Sequence, residues 1–490
     1  MENYAIKEVG YFWWSSDPIP EGYSVPDSAI AGDLMITYDG QITLELHGYL
    51  ESSEHPMSRI LMGSGNSCDD IQGRLKNKSE HVLLENVYTQ GGRASFGGIS
   101  YESYGAESCL IGASPFPAAT KGKVEFDGFS VPLVGYEEWL CLNSIKTVRT
   151  KRRLVASHST QKNIKYSLDD GSTISIVFDL FGPAFGEQKN HSISIAEQVD
   201  LKYLSKTKKT TAELAKSFSS ISDFFLVVTG SNYSMEWPSL MLGRTRNRMR
   251  TYKVYFARSR KSTAPPARHN SWLVFPVIRD TFGKLFQQWQ NKREELGPGM
   301  SLYLGTRRGV ELYVEHRFVN LIWGLESLHR TITKDMPPTK LELKAERIIE
   351  QIQAPKDRKW LRGKLEHSAE PSLRERLIEC IKTLPLKISE ESIEVFCKEC
   401  ADKRNDISHF GGQRSPGGYG PFLEKIHALN NALNSLYPAI ILKQCGLEDA
   451  ELFNIFNYGK MASRIRSSLE GGGLHMDRAK PLVKVGKLVE

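Results

Sequence analysis

Hydrophobic and polar residues change their period part-way along the chain. Up to about residue 270 the dominant period is that of strands. The clearest case has Leu34, Ile36 and Tyr38 alternating with Met35 and Thr37. Asp39-Gly40 supplies the turn, and Ile42, Leu44 and Leu46 alternate with polar residues on the return. Gly10–Trp14 is an aromatic strand-like opening before the proline-rich turn at 17–22. Further strands are expected over His81–Tyr88, Lys123–Pro132, Thr173–Asp179 and Ser192–Val199. The Gly and Ser between them suit tight turns of a sandwich-like or closed sheet. Ala212–Phe225 reads as a helix that runs into a short strand, Leu226–Thr229.

A break at Arg258–Asn270, with its Pro265-Pro266, ends this pattern. In Asp280–Leu296, Phe282, Leu285, Phe286 and Trp289 share one helical face, and Gly297-Pro298-Gly299 is expected to stop that helix. From about residue 300 the period is helical throughout, with helices expected at 309–332, 339–353, 371–384, 390–407 and 420–444. Loops carrying Pro337-Pro338, Pro355 and Gly411…Gly420 are short, which argues for an antiparallel bundle. The fold class is therefore α+β, a β-rich, sandwich-like N-terminal domain followed by an all-α bundle. The expected division is 1–270, a helical connector over 271–300, and 301–490. The tail from Gly471-Gly472-Gly473 onward reads as a loosely ordered basic arm.

Composition narrows the function classes only modestly. The 490 residues are 40% hydrophobic and 25% charged, ordinary for a soluble globular protein of two or three domains. No run of about 18 apolar residues suggests a membrane span, and the first residues lack a basic-then-apolar leader. Seven cysteines without framework spacing suit a reducing cytoplasm. Cys397-x2-Cys400 has no second pair at ligand spacing and reads as a half-buried helical pair, so no metal is assigned. The net charge of +7 permits nucleic-acid binding without demanding it. Basic residues cluster at 146–153 and 202–209. Arg244, Arg246, Arg248 and Arg250 alternate strictly, which on one strand would line a single face. Such a face would serve RNA phosphate, a protein partner, or only a solvated edge.

The residues with the strongest claim to chemistry lie in Cys400–Gly412. Arg404 and His409 stand five apart, Asn405 follows the arginine, and Gly411-Gly412 follows the histidine. Ile393, Val395, Phe396 and Cys400 place this stretch at the end of an amphipathic helix closed by glycine. Five helical residues turn through about 500°, which leaves the two side chains about 140° apart unless the helix ends between them. If it ends there, both can grip one phosphate. Arginine offers a permanently charged fork of donors, and histidine can take or give a proton near neutral pH. That pair suits metal-free cleavage of an RNA backbone. Because base and acid are two roles, a symmetric dimer would supply both. The spacing alone is weak, since an Arg-x4-His match arises about once by chance in such a chain. Arg153…His158 and Arg362…His367 match too, but without the helix, the polar neighbour or the glycines.

Arg404-Asn405-x3-His409 resembles the signature of the HEPN superfamily, many of whose members are metal-independent ribonucleases. Glu315–Arg330 resembles the long helix that opens such domains, with Glu326 on it, and the Gly32–Gly48 hairpin is similar to the N-terminal domain of ApeA-type anti-phage proteins. The resemblance implies a cytoplasmic defence effector that cuts host RNA, with transfer RNA the target class, and halts growth on infection. Arg404 and His409 would be catalytic and Asn405 and Glu326 supporting, with Glu326 beside Arg404 or the histidine; Glu379 and Glu399 are lesser candidates. Partners would be RNA, a phage-derived trigger and a second copy of the chain; no cofactor and no membrane are called for. The competing reading is a non-catalytic nucleotide- or RNA-binding and dimerisation module whose β-rich half recruits a partner.

Overall fold

The structure is a computed structural model. It describes residues 4–50, 69–93, 98, 100–116, 123–142, 144–159, 161–182, 193–245, 248–258, 264–308, 312–333, 340–365, 370–410 and 418–477. The chain forms two compact units, Met1–Ser222 with Tyr233–Pro265, and Asp223–Asn232 with Pro266–Glu490.

The first unit is built on β1 (Tyr4–Trp14), β2 (Ile30–Thr37), β3 (Ile42–Leu46), β4 (Ile71–Leu75), β5 (His81–Arg93), β6 (Tyr101–Gly112) and β7 (Glu125–Pro132). The helical turn α1 (Glu137–Leu140) follows, then β8 (Ile145–Arg149), β9 (Leu154–His158), β10 (Ile164–Ser167), β11 (Thr173–Phe181) and β12 (Ala196–Thr210). After helix α2 (Thr211–Thr229) come β13 (Ser239–Thr245) and β14 (Arg248–Phe256).

The expected hairpin is β2–β3, with Leu34 opposite Leu44 and Ile36 opposite Ile42. All four are buried, so the alternation read from the sequence is the inward face of the sheet. Of the sandwich-like and closed forms expected, the sheet takes the closed one. Strands pair in the ring β6-β3-β2-β1-β4-β5 and back to β6, which closes the sheet on itself. Phe12, Leu34, Ile36, Leu44, Leu84 and Tyr104 fill the interior. Closure is possible because β6 is long enough to pair twice on one edge. Its residues 102–105 pair with β3 and 108–111 with β14, while β5 takes the other edge. From β14 the sheet continues as an antiparallel wing, β13-β7-β12-β11-β10. Phe218 of α2 packs its ring against Phe129 and Phe256 of this wing.

Two sequence expectations change here. Leu226–Thr229 is not a strand but the last turns of α2. Val227 and Val228 are fully buried, and a short apolar run enclosed on all sides carries no alternation to separate helix from strand. The arginines at 244–250 do not share one strand either. β13 and β14 form a hairpin, so Arg244 and Arg248 stand on opposite strands, and the register shifts between Leu242 and Arg244. Arg250 donates from Nε to the Leu242 carbonyl at 3.3 Å, and Arg246 lies outside the described residues.

The second unit contains α3 (Phe275–Ile278), α4 (Phe282–Arg307), α5 (Val314–Ile332), α6 (Lys340–Glu350), α7 (Pro355–Leu365), α8 (Leu373–Lys382), α9 (Glu390–Phe410), α10 (Tyr419–Gln444), α11 (Asp449–Asn457) and α12 (Ala462–Gly472). The apolar face expected in α4 buries Phe282, Phe286 and Trp289 around the ring of Phe224. Gly297 does not stop this helix. It kinks it, with φ 42°, and the helix resumes to Arg307. Beyond the kink α4 crosses α5 closely enough that a Cβ on Gly299 would meet the Gly324 carbonyl at 3.0 Å, and a Cβ on Gly324 would meet the hydroxyl of Tyr437 on α10. Nor do Gly471 and Gly472 begin a loose arm. They close α12, and Gly472 packs against Ala432 and Phe396. The basic run from 478 lies outside the described residues.

Candidate active site

Helix α9 carries the motif, and its sequence explains how it is held. Ser389 accepts from the backbone N–H of Ser392 at 3.2 Å, and Glu390 and Glu391 sit in the first turn, where the helix dipole favours them. Ile393, Cys397 and Cys400 form one buried stripe. Burial pushes the Cys397 thiol up to about 12 and the Cys400 thiol well above its ordinary range, against the opposing charges of Arg374 and Lys425. Both are free thiols packed as small hydrophobes, fully buried where the sequence predicts a half-buried pair.

Arg404 continues that stripe by one more turn. Its Nη1 donates to the Asn405 side-chain oxygen at 3.1 Å. Its Nε is buried and has no partner among the described residues. A buried donor without a partner costs about 1–3 kcal/mol, and a group so placed is available to an incoming acceptor.

The helix does not end between the two motif residues, as a shared grip within one chain would require. α9 is continuous to Phe410. Position 409 therefore stays about 140° from 404. It extends a different stripe, through Val395, Lys398, Asp402 and Asn405, which is exposed along its length. Gly411 and Gly412, expected to cap the helix, lie outside the described residues.

Glu326 has its ion-pair partner within its own helix. It pairs with Arg330 one turn along α5 at 3.3 Å, and Arg330 also reaches Glu370 at 3.0 Å. The i, i+4 spacing within α5 satisfies the carboxylate locally. Glu379 meets the buried His329 Nε2 at 2.6 Å, and Glu399 meets Lys425 at 2.8 Å. The other two Arg-x4-His matches are structural in character. Arg153 is in the β8–β9 turn, and His158 pairs with Glu197 at 2.8 Å with both side chains nearly buried. Arg362 pairs with Glu346, and His367 lies outside the described residues.

The sequence reading missed what surrounds the end of α9. α9 and α10 run antiparallel, as the Glu399–Lys425 pair and Lys403 over the Phe422 ring at 5.2 Å show. This brings the start of α10 beside the motif. There Tyr419 stacks with Phe422 at 6.2 Å and donates its hydroxyl to Glu315 on α5. Asn430 donates to the Val314 carbonyl at 2.9 Å and ties the start of α5 to α10. Glu315 and Arg317 sit in the helix already singled out in the sequence. What pairs Glu315 with Tyr419 is a contact between distant parts of the chain, which no local period reports.

Residues 7–289 match the family model for ApeA N-terminal domain 1, more than half of the chain. Residues 319–451, which include Arg404 and His409, match the Apea-like HEPN model. The chain belongs to the ApeA-type HEPN anti-phage proteins. No curated protein and no solved structure matches it. The β-rich ApeA domain and the helical HEPN region are thus the two parts read from the sequence, and a HEPN region carries nuclease potential. Among the described residues no helix is long and apolar enough to cross a membrane.

Proposed function

We propose that this ApeA-type protein is a metal-independent endoribonuclease that cuts host RNA, transfer RNA in the first place, when infection is sensed, and so aborts the infection. Anticodon loops offer unpaired nucleotides that a small surface site can reach. The observation that carries the reading is Arg404, at the end of a buried stripe with a buried Nε that has no described partner.

In the proposed mechanism a histidine at position 409 takes the proton from a ribose 2′-hydroxyl. The 2′-oxygen attacks the adjacent phosphorus, the bond to the 5′-oxygen breaks, and the histidine, now protonated, returns its proton to that leaving oxygen. Arg404 stabilises the charge that gathers on the phosphate, and Asn405 holds the guanidinium in place. The products are a 2′,3′-cyclic phosphate and a 5′-hydroxyl. Because positions 404 and 409 face apart on one helix, the site is completed by a second copy of the chain. The β-rich half, 1–270, acts as sensor or brake for a phage-derived trigger, with 271–300 as connector and 301–490 as the nuclease.

The same angular separation also fits a non-catalytic module that dimerises and binds RNA. Incubating total transfer RNA in EDTA with wild type and with His409→Ala separates the two. The expected result is fragments with cyclic phosphate ends from wild type alone. Loss of cleavage on chelation would remove the metal-free scheme. No cleavage even in lysate from infected cells would favour the binding module.

A further inference from the structure

Two tyrosines stand exposed at the end of the bundle that carries Arg404. Tyr313, just before α5, is 77% exposed, and Tyr419, in the first turn of α10, is 57% exposed. Large aromatic rings are normally buried for the area they bring to a core. Neither of these is, yet both are held. Tyr419 is fixed by its hydrogen bond to Glu315 and by stacking on Phe422. Tyr313 lies edge-to-face with the exposed His316 at 6.0 Å. The Tyr419 phenol is raised above its ordinary value, first by the Glu315 hydrogen bond and also by the charges of Glu315 and Tyr313. Because Tyr419 reaches Glu315, two residues along from Tyr313, the two rings stand in one neighbourhood.

The surrounding charges point to an anionic, base-bearing ligand. The acids nearby are engaged: Glu315 by Tyr419, Glu399 by Lys425 at 2.8 Å, and Asp406 by Lys403 at 3.6 Å. Arg317 lies one turn above Tyr313, its N–H bonded to the Tyr313 carbonyl at 3.0 Å. Like Arg404, it has a buried Nε without a described partner. Flat rings beside cations that lack full partners are the means by which proteins hold unpaired nucleotides, the bases on the rings and the phosphates on the cations.

We infer that Tyr313 and Tyr419 form a stacking platform for unpaired RNA bases next to the phosphate held at Arg404. The platform restricts the substrate to single-stranded or looped RNA and sets where the strand lies. This rests on the ribonuclease reading for its location, but its test does not depend on cleavage.

The experiment is binding of a short single-stranded oligoribonucleotide carrying 2-aminopurine to full-length His409→Ala protein, read by base fluorescence and anisotropy. The same oligonucleotide with abasic sites in place of its bases is the control. Expected are quenching on binding and clear preference for the base-bearing strand. Adding Tyr313→Ala or Tyr419→Ala should weaken binding roughly five- to hundred-fold each and abolish the preference. Tyr419→Phe, which keeps the ring and loses the Glu315 bond, should retain most of it. Equal binding of abasic and base-bearing strands, no binding, or no effect of the alanine variants would overturn the platform. So would alanine variants that change only the sedimentation of the protein, since the tyrosines would then be a contact between copies. Tyrosine-dependent binding, with wild type cutting no RNA even in lysate from infected cells, would keep the platform and remove the nuclease reading.

Discussion

If Arg404 and His409 act from different chains, two dead variants should rescue each other. Positions five apart on an unbroken helix are separated by about 7.5 Å along the axis and about 140° around it. At a side-chain radius of about 5 Å these combine to about 12 Å. Two groups that each lie about 3 Å from one phosphate stand no more than about 6 Å apart. The arginine arm could swing part of the way, but its Nε is buried at the end of the Cys397–Cys400 stripe and its Nη1 is bonded to Asn405. Swinging would give up both. His409→Ala removes the proton-transfer group and should cost about 10²–10⁴ in rate. Arg404→Ala removes charge stabilisation and should cost about 10²–10³. Co-expressed, the two variants form about half mixed dimers, each with one intact site of two, so the mixture should recover about a quarter of wild-type cleavage. The assay is fragment yield from transfer RNA at fixed total protein, with each variant alone as baseline. A mixture no more active than its better component would refute the two-chain site.

Two further predictions concern the frame that carries the site. Gly324→Ala forces a methyl to within 2.2 Å of the Tyr437 hydroxyl, which donates to the Gly299 carbonyl at the α4–α5 crossing. It should destabilise the protein by about 1–3 kcal/mol, and Tyr437→Phe by a similar amount through the unpaired carbonyl, about 1–3 kcal/mol. Since Tyr437→Phe also relieves the clash, the double variant should fall short of the sum by about 1 kcal/mol or more in urea unfolding. Additive costs would contradict this crossing. In the barrel, burial holds the Glu85 carboxyl above its ordinary value, against the opposing hydrogen bond from Ser108 at 2.8 Å. The folded state therefore keeps its proton to higher pH than the unfolded chain. That stability is fully present below the ordinary carboxyl range and is lost as pH rises through the folded value. Glu85→Gln should flatten this fall in the urea midpoint across a pH series, and an unchanged slope would count against a buried, protonated Glu85.

What could be read in advance follows from how far each interaction reaches along the chain. The β2–β3 hairpin was legible because its alternation and its turn lie within a few residues, and Leu34 opposite Leu44 needs nothing else. Which strands close the barrel was not, because that depends on β6 finding β3, β5 and β14 at once. Helices α4 to α6 and α8 to α10 are legible from their apolar stripes, whereas the kink at Gly297 reads in the sequence as a stop. Proline at 298 is tolerated in the first turn after such a break, so the same residues that end one helix start the next. The motif shows the limit most sharply. Its residues and their helix could be named from the sequence, yet their relation turns on whether the helix stops at 407 or continues to 410. Stopping there would let both groups meet one phosphate. Continuing puts Arg404 on the buried stripe and position 409 about 140° around the helix from it. A few residues of added helix thus separate a site that a single chain could complete from the two-chain site proposed above.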